Sequence, residues 1–186
     1  ACGKHGIMTS PRPDAVTNPD MLYARFRELG LAFSVHEHPP VFTVEEAQLH
    51  RGVMPGAHCK SLFLKDKKGV LWLVVCLEDR RIDMKALSGI LGAARLSFGR
   101  PELLAERLGV EPGSVTPFAV LNDVAENSDE RVRVILDAEM MRAELVNYHP
   151  LINTATVAMT PGALIRFLEA FHHTPTIVDL SGVSAN

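Results

Sequence analysis

The sequence predicts a single mixed-sheet α/β domain, and three observations carry that reading. Two apolar runs, residues 57–65 and 70–77, flank the polar tetrapeptide Asp66-Lys67-Lys68-Gly69, the pattern of a β-hairpin with a short loop. Helix starts of one kind recur at Asn18-Pro19, Arg100-Pro101 and Thr160-Pro161, because proline at the first helical position gives up no needed amide donor. Helices and strands alternate irregularly, and no repeat, low-complexity segment or linker divides the chain.

The 186 residues are 47% hydrophobic, enough for one domain with a sizeable core. A net charge of −3 and a pI of about 6.3 argue against a protein that coats DNA nonspecifically. No helix-turn-helix with a basic recognition helix is apparent, so DNA is not an expected partner. Cys2, Cys59 and Cys76 are odd in number and lack CxxC spacing. With no signal peptide and no apolar run near 18 residues, the expectation is a reduced, cytoplasmic protein without a membrane partner.

Residues 1–17 have no apolar period and read as a flexible leader, with the folded domain over 18–186. Asn18 caps a helix whose Leu22, Phe26 and Leu29 share one face, and Gly30 ends it. A strand is predicted over 31–38, stopped by Pro39-Pro40. Thr43-Val44-Glu45-Glu46 has capping-box spacing for a short helix to about Arg51. The hairpin follows, and its second strand is apolar on both parities, which predicts cover on both faces. Asp83 caps a helix through Leu91, Arg95–Phe98 reads as a short strand, and a helix runs from Pro101 to Leu108. A loop over 113–117 leads into an apolar strand, with a turn at Asn122-Asp123. Val132–Leu136 is a strand, 138–143 a brief helix, 148–150 a turn and 155–159 a strand. A helix with Leu164, Phe167, Leu168 and Phe171 on one face precedes a last strand over 176–180.

The standard chemistries leave little. His36 and His38 lie two apart on a strand, but no third ligand is visibly paired with them, so no metal is expected. There is no G-x-S-x-G elbow, P-loop or G-x-G-x-x-G fingerprint. Cys59 faces away from Lys60 on an ideal strand and reads as a structural thiol. His172-His173 reads as a solvated cation pair after a helix end. Lys67, Lys68, Arg80 and Arg81 are solvated charges or phosphate contacts. Lys60 stands out, because it sits well inside a strand on a parity that ends in leucines. It either snorkels to the surface or is placed for a purpose.

Three stretches stand in order: Met54-Pro55-Gly56-Ala57-His58-Cys59-Lys60-Ser61-Leu62-Phe63-Leu64, Gly113-Ser114-Val115-Thr116-Pro117-Phe118, and Tyr148-His149-Pro150-Leu151-Ile152-Asn153-Thr154-Ala155-Thr156. Together they resemble the YbaK/prolyl-tRNA-synthetase-associated editing domain superfamily, and within it the freestanding branch that hydrolyses alanyl-tRNA(Pro). The resemblance runs from about Pro19 to Leu180. It implies a curved, partly barrel-like mixed sheet surrounded by helices. It also implies hydrolysis of the ester between a wrong amino acid and the 3′-terminal adenosine of tRNA(Pro), without a cofactor. Lys60 matches the family's functional lysine, Gly113 and Pro117 its G-x-x-x-P loop, and His149 with Asn153 its H-P-x-x-N stretch. The resemblance thus implies catalytic roles for Lys60, Gly113 and His149. Substrate contacts are expected from Ser61, Ser114, Val115, Thr116, Pro117 and Asn153, while Val41, Phe42 and Met54 line the acyl pocket or pack in the core. The alanine-specific branch often carries Asn directly after the lysine, where this chain has Ser61. The implied partner is the acceptor end of misacylated tRNA(Pro), with prolyl-tRNA synthetase or an elongation factor beyond it. Another small aminoacyl-tRNA such as Cys-tRNA(Pro) is the alternative substrate, and a non-catalytic tRNA- or protein-binding module the alternative class.

Overall fold

The computed structural model describes residues 11–183 except 41–44, 47–48 and 50–53. Val41, Phe42, residues 1–10 and most of the helix expected over 43–51 therefore lie outside the described residues. Helix α1 (Pro19–Glu28) begins where the Asn18 side chain accepts from the Asp20 amide at 2.8 Å, and Gly30 follows it at φ 68°. After β1 (Ser34–Glu37) come the hairpin strands β2 (Ala57–Asp66) and β3 (Leu71–Leu77). Helix α2 (Met84–Leu91) is capped by Asp83, whose carboxylate accepts from the Ala86 amide at 2.9 Å. Strand β4 (Leu96–Phe98), helix α3 (Pro101–Leu108), strands β5 (Arg133–Asp137), β6 (Val146–Tyr148) and β7 (Ala155–Met159), helix α4 (Pro161–Ala170) and strand β8 (Thr176–Val178) complete the regular elements.

The eight strands form one mixed sheet in the order β1-β7-β6-β2-β3-β5-β8, with β4 also on β2. The path has two ends and does not close into a barrel. Along one edge β2 runs antiparallel to β3 from Cys59 to Lys65. Along the other edge it changes partner, pairing in parallel with β6 at Ala57 and His58 and antiparallel with β4 at Leu64–Asp66. The mixed sheet is thus two sheets that share β2.

The apolar run of β3 divides by parity, as a strand covered on both faces must. Leu71, Leu73 and Val75 enter the main core, which includes side chains of α1, α3 and α4. Trp72, Val74 and Cys76 enter a second cluster with Leu87 of α2, Ile135 of β5 and Leu180. At the centre of the main core the rings of Phe26, Phe118 and Phe167 meet edge to face, with centroids 4.9–5.5 Å apart.

The structure departs from the sequence expectations at particular places. The apolar segment after Pro117 is a 3-10 helix over Pro117–Asn122, not a strand. Thr116 Oγ1 accepts from the Phe118 amide at 3.4 Å, proline sits at the first helical position, and all six residues are buried. Burial on every side erases the period that separates helix from strand. Strand β6 was not anticipated; it is three residues long, with the polar but buried Asn147 at its centre. His173 is buried rather than solvated: Nδ1 donates to the Phe171 carbonyl at 2.6 Å and Nε2 to Asp123 Oδ2 at 2.8 Å. His172 is exposed. Within the expected leader, Val16 is in the main core, and its amide and carbonyl both bond to the buried Asn122 side chain at 2.7 and 2.9 Å.

Asp123 also accepts from Arg107 at 2.9 Å and from the Val132 amide at 2.6 Å. Burial pushes its carboxyl up, but these bonds and the one from His173 outweigh burial and hold it at about 2, below the ordinary 3.8. A depressed carboxyl stabilises the fold above its unfolded pKa and loses that contribution as pH falls through the folded one. Asp123 is therefore expected to contribute on the order of 2 kcal/mol above pH 5, lost between about pH 4 and pH 2. Urea unfolding at several pH values checks this, since Asp123→Asn is expected to flatten that part of the acid limb. An acid limb identical to wild type would contradict it.

Candidate functional site

The first half of β2 is positioned by the chain just before it. Gly56 has φ 100°, and a Cβ there would lie 2.7 Å from the Leu145 carbonyl oxygen, so only glycine fits. That close approach lets the Ala57 amide donate to Leu145 O at 2.9 Å. Asn147, paired with His58, donates both amide hydrogens across the junction, to Pro55 O at 3.0 Å and Ala57 O at 3.1 Å. His58 Nε2 lies 3.3 Å from the Met54 carbonyl, which folds the half-buried Met54 back toward the strand.

Lys60 is half-buried and pairs with Cys76 on β3. Its Nζ donates to the Arg80 carbonyl in the turn after β3. That turn is fixed by the fully buried Asp137, which accepts from Arg80 Nε at 2.8 Å and from the Leu77 amide at 3.3 Å. Arg80 also pairs with Glu139 at 2.5 Å. Arg80 is therefore a structural cation, and Lys60 is oriented rather than loose. An ammonium carries three donors, so one bond to a carbonyl leaves two for a ligand. Ser61 pairs with Val75 and has the opposite parity, toward the main core, so it does not share the face of Lys60.

His149 follows β6 and is half-buried. Its Nδ1 lies 3.1 Å from the Ala155 carbonyl; a carbonyl only accepts, so the proton is on Nδ1 and the neutral ring keeps its lone pair on Nε2. Burial pulls its pKa below 6.5; the bond to Ala155 and the Glu78 carboxylate oppose the shift, while His38 adds to it. The His38 ring lies 6.3 Å from that of His149, and His38 is held by the Pro39 carbonyl and Thr156 Oγ1, each at 2.9 Å. Among the described residues no group of three or more His, Cys, Asp or Glu has the arrangement of a metal site. Sequence reasoning weighed His38 only as a metal ligand; its place beside His149 follows from the pairing of His36 with Thr156 across β1 and β7.

The 113–117 loop reaches the 149–153 loop. Ser114, Thr116 and Pro117 are buried, Val115 is half-buried and Gly113 is exposed. A Cβ built on Gly113 would meet only Asn153 Nδ2, at an ordinary 3.7 Å. Its φ is outside the left-handed range, so neither backbone nor space within the fold requires glycine at 113. Between His149 and Asn153 the backbone turns through Leu151 at φ 70°. That conformation is costly for a residue with a Cβ, and it is held by burial of the Leu151 side chain in the main core. Nothing in the sequence marked Leu151.

Thus Gly113 and Asn153 are brought together, and so are His149 and His38, with Glu78 close enough to act on His149. Lys60 meets the 78–81 turn, and no hydrogen bond or ion pair joins it to His149 or Gly113 among the described residues. Among the described residues the thiols offer no nucleophile at neutral pH, since burial pushes Cys59 up to about 12 and Cys76 up to about 11.

The chain is similar to known proteins in both sequence and fold. The family model for the aminoacyl-tRNA editing domain matches residues 38–167. The chain is 40% identical over 154 residues to prolyl-tRNA synthetase associated domain-containing protein 1 of Danio rerio, covering 82% of each chain. It is 34% identical over 158 residues to the prolyl-tRNA editing protein ProX of Acetoanaerobium sticklandii, covering 84% of this chain and 94% of that one. A crystal structure described as a candidate trans-editing enzyme for prolyl tRNA synthetase superposes with a TM-score of 0.68 at 20% identity, over 92% of this chain and all of the other; at that identity the likeness speaks for the fold. The chain belongs to the aminoacyl-tRNA editing domain family.

Proposed function

We propose that this protein is a trans-editing hydrolase that removes a mischarged small amino acid, alanine foremost, from tRNA(Pro). Gly113 carries the reading: a glycine that the fold itself does not require, on a loop beside Asn153, suits backbone that must admit a ligand closely. Family membership and the 34% identical prolyl-tRNA editing relative support it.

In this reading a water oxygen attacks the ester carbonyl carbon, and the bond to the ribose 3′-oxygen then breaks. One water proton passes to that oxygen, giving free amino acid and tRNA with an intact 3′-hydroxyl. Lys60 holds a terminal phosphate or the carbonyl oxygen with its remaining donors. The Ser114 amide is committed to Glu111 O at 2.9 Å, so in this reading the donors to the developing oxyanion come from other amides of the loop. His149 presents a lone pair on Nε2 to the water or the vicinal ribose hydroxyl. Aminoacyl esters are already activated, so this set suffices without a nucleophile. Pocket size rejects proline, because steric exclusion of a larger residue is steeper than preference for one. The acceptor end of tRNA(Pro) is the required partner, and prolyl-tRNA synthetase or an elongation factor would be met at the exchange of that tRNA.

Deacylation assays with Ala-, Ser-, Cys- and Pro-tRNA(Pro) test this directly. Ala-tRNA(Pro) is expected to be hydrolysed and Pro-tRNA(Pro) left intact, with Lys60→Ala reducing the rate by about a hundredfold or more. Turnover of none of the four would sink the enzyme reading, and a fully active Lys60→Ala would remove that residue's role.

Gly113→Ala is expected to keep the wild-type Tm while lowering the Ala-tRNA(Pro) rate at least about tenfold, the mark of a glycine that serves the ligand. Equal loss of stability and activity would make it structural.

The lowered pKa of His149 sets the pH dependence. The active form is neutral, so background-corrected kcat/KM is expected to hold to lower pH than an ordinary imidazole would allow, and to fall below that as the ring protonates. His149→Ala should lose both rate and that acid limb; an unchanged limb in the variant would assign it to another group.

A further inference from the structure

Trp72, the one tryptophan of the chain, lies in the wall of a cavity of about 460 Å³. The cavity lies at the other end of β3 from Lys60: Lys60 pairs with Cys76 and Leu64 with Trp72, four residues along, roughly 13 Å. Its floor includes Ile90 of α2 and Val134 of β5, and its polar lining includes Arg131, Arg133, His172 and Thr174. No carboxylate is among the lining residues. Asp129 and Glu130, just before Arg131, are exposed and do not line it. In a chain of net charge −3, a cavity lined by two arginines and two histidines, one of them (His173) paired with Asp123, and with no acid among the lining residues is a local reversal of sign.

Two of these groups are held in place. The Arg133 guanidinium stacks 5.2 Å over the Trp72 ring, which leaves its edge of N–H donors free to turn to the cavity. Arg131 donates Nε to the Ala125 carbonyl at 3.0 Å, keeping its two terminal amino groups. His172 is exposed and sits at φ 64°, just past the end of α4. The His172 and His173 amides return to Glu169 O at 3.0 Å and Leu168 O at 2.9 Å, the helix-ending geometry in which glycine is the usual residue. A histidine there carries strain that glycine would relieve, and strain retained at a cavity wall points to a use.

We propose that this cavity is a second site that binds a nucleotide phosphate. Forked guanidinium groups match phosphate oxygens, a neighbouring imidazole and threonine hydroxyl add donors, and nothing lining the cavity repels the anion. The phosphate belongs either to an RNA backbone or to a free nucleotide. The inference does not depend on the deacylase reading, since none of these residues contributes to the Lys60–Gly113–His149 set.

Trp72 supplies the readout. Its fluorescence is followed at low salt while the intact protein is titrated with inorganic phosphate, AMP or uncharged tRNA, with calorimetry as a second measurement. A saturable change is expected for at least one probe, weakened at least tenfold in the Arg131→Gln/Arg133→Gln double variant. His172→Gly is expected to weaken binding several-fold with a Tm no lower than wild type, a combination that loss of a structural residue does not give. Saturation by tRNA alone assigns the phosphate to an RNA backbone, and saturation by AMP or inorganic phosphate assigns it to a free ligand. No saturation by any probe, or unchanged binding in the double variant, would overturn the site.

Discussion

The structure depends on the junction where β2 leaves one sheet and joins the other. Only two residue pairs link β6 to β2, at Ala57 and His58, yet they connect the β1-β7-β6 half to the rest. Two features strengthen so short a contact. Gly56 lets the backbone pass within reach of the Leu145 carbonyl, and the buried Asn147 amide binds two carbonyls on the passing strand. A buried amide whose donors are both satisfied costs little, whereas either half left alone would be expensive. His149 lies two residues beyond Asn147 and Lys60 three beyond Ala57, so the two candidate catalytic side chains take their relative position from one junction.

Asp137 provides a second constraint on the same region. Fully buried at the end of β5, it holds Arg80 and the Leu77 amide, and so fixes the turn whose carbonyl receives Lys60. The lysine is thus not snorkelling freely, and among the described residues it has no ion-pair partner. It bonds to a neutral acceptor, which orients the ammonium while leaving its charge uncancelled, the arrangement useful toward an anionic or developing negative oxygen. Direct pairing with a carboxylate would have fixed it as well but neutralised it.

What the sequence revealed and concealed follows from periodicity. The hairpin, the proline-started helices and their glycine stops were legible because their signals are local. Residues 117–122 were not, since every side chain of that 3-10 turn is buried and an apolar run without a period reads equally as strand. His172 and His173 are adjacent and chemically identical, yet one is exposed and the other buried against Asp123, fifty residues earlier; no local pattern separates them. At the site, Lys60, the 113–117 loop and His149 were visible as motifs in order. Their spatial relation was not, because Gly113 reaches Asn153 only through the left-handed turn at Leu151, where the sequence shows an ordinary leucine.

The chemical character of the site follows from its burial pattern. Burial suppresses ionisation where it is uncompensated, and here it acts on the Cys59 and Cys76 thiols and on the His149 imidazole. Cys59 and Cys76 stay protonated near neutral pH, and His149 stays uncharged with a defined tautomer. Among the described residues, what remains is the oriented Lys60 ammonium, the neutral His149 imidazole and exposed loop backbone. Under the proposed function such a set suits an activated acyl ester better than an unreactive amide. It can orient and polarise an acyl group that is already activated, and there the barrier left to lower is small enough for positioned water to cross.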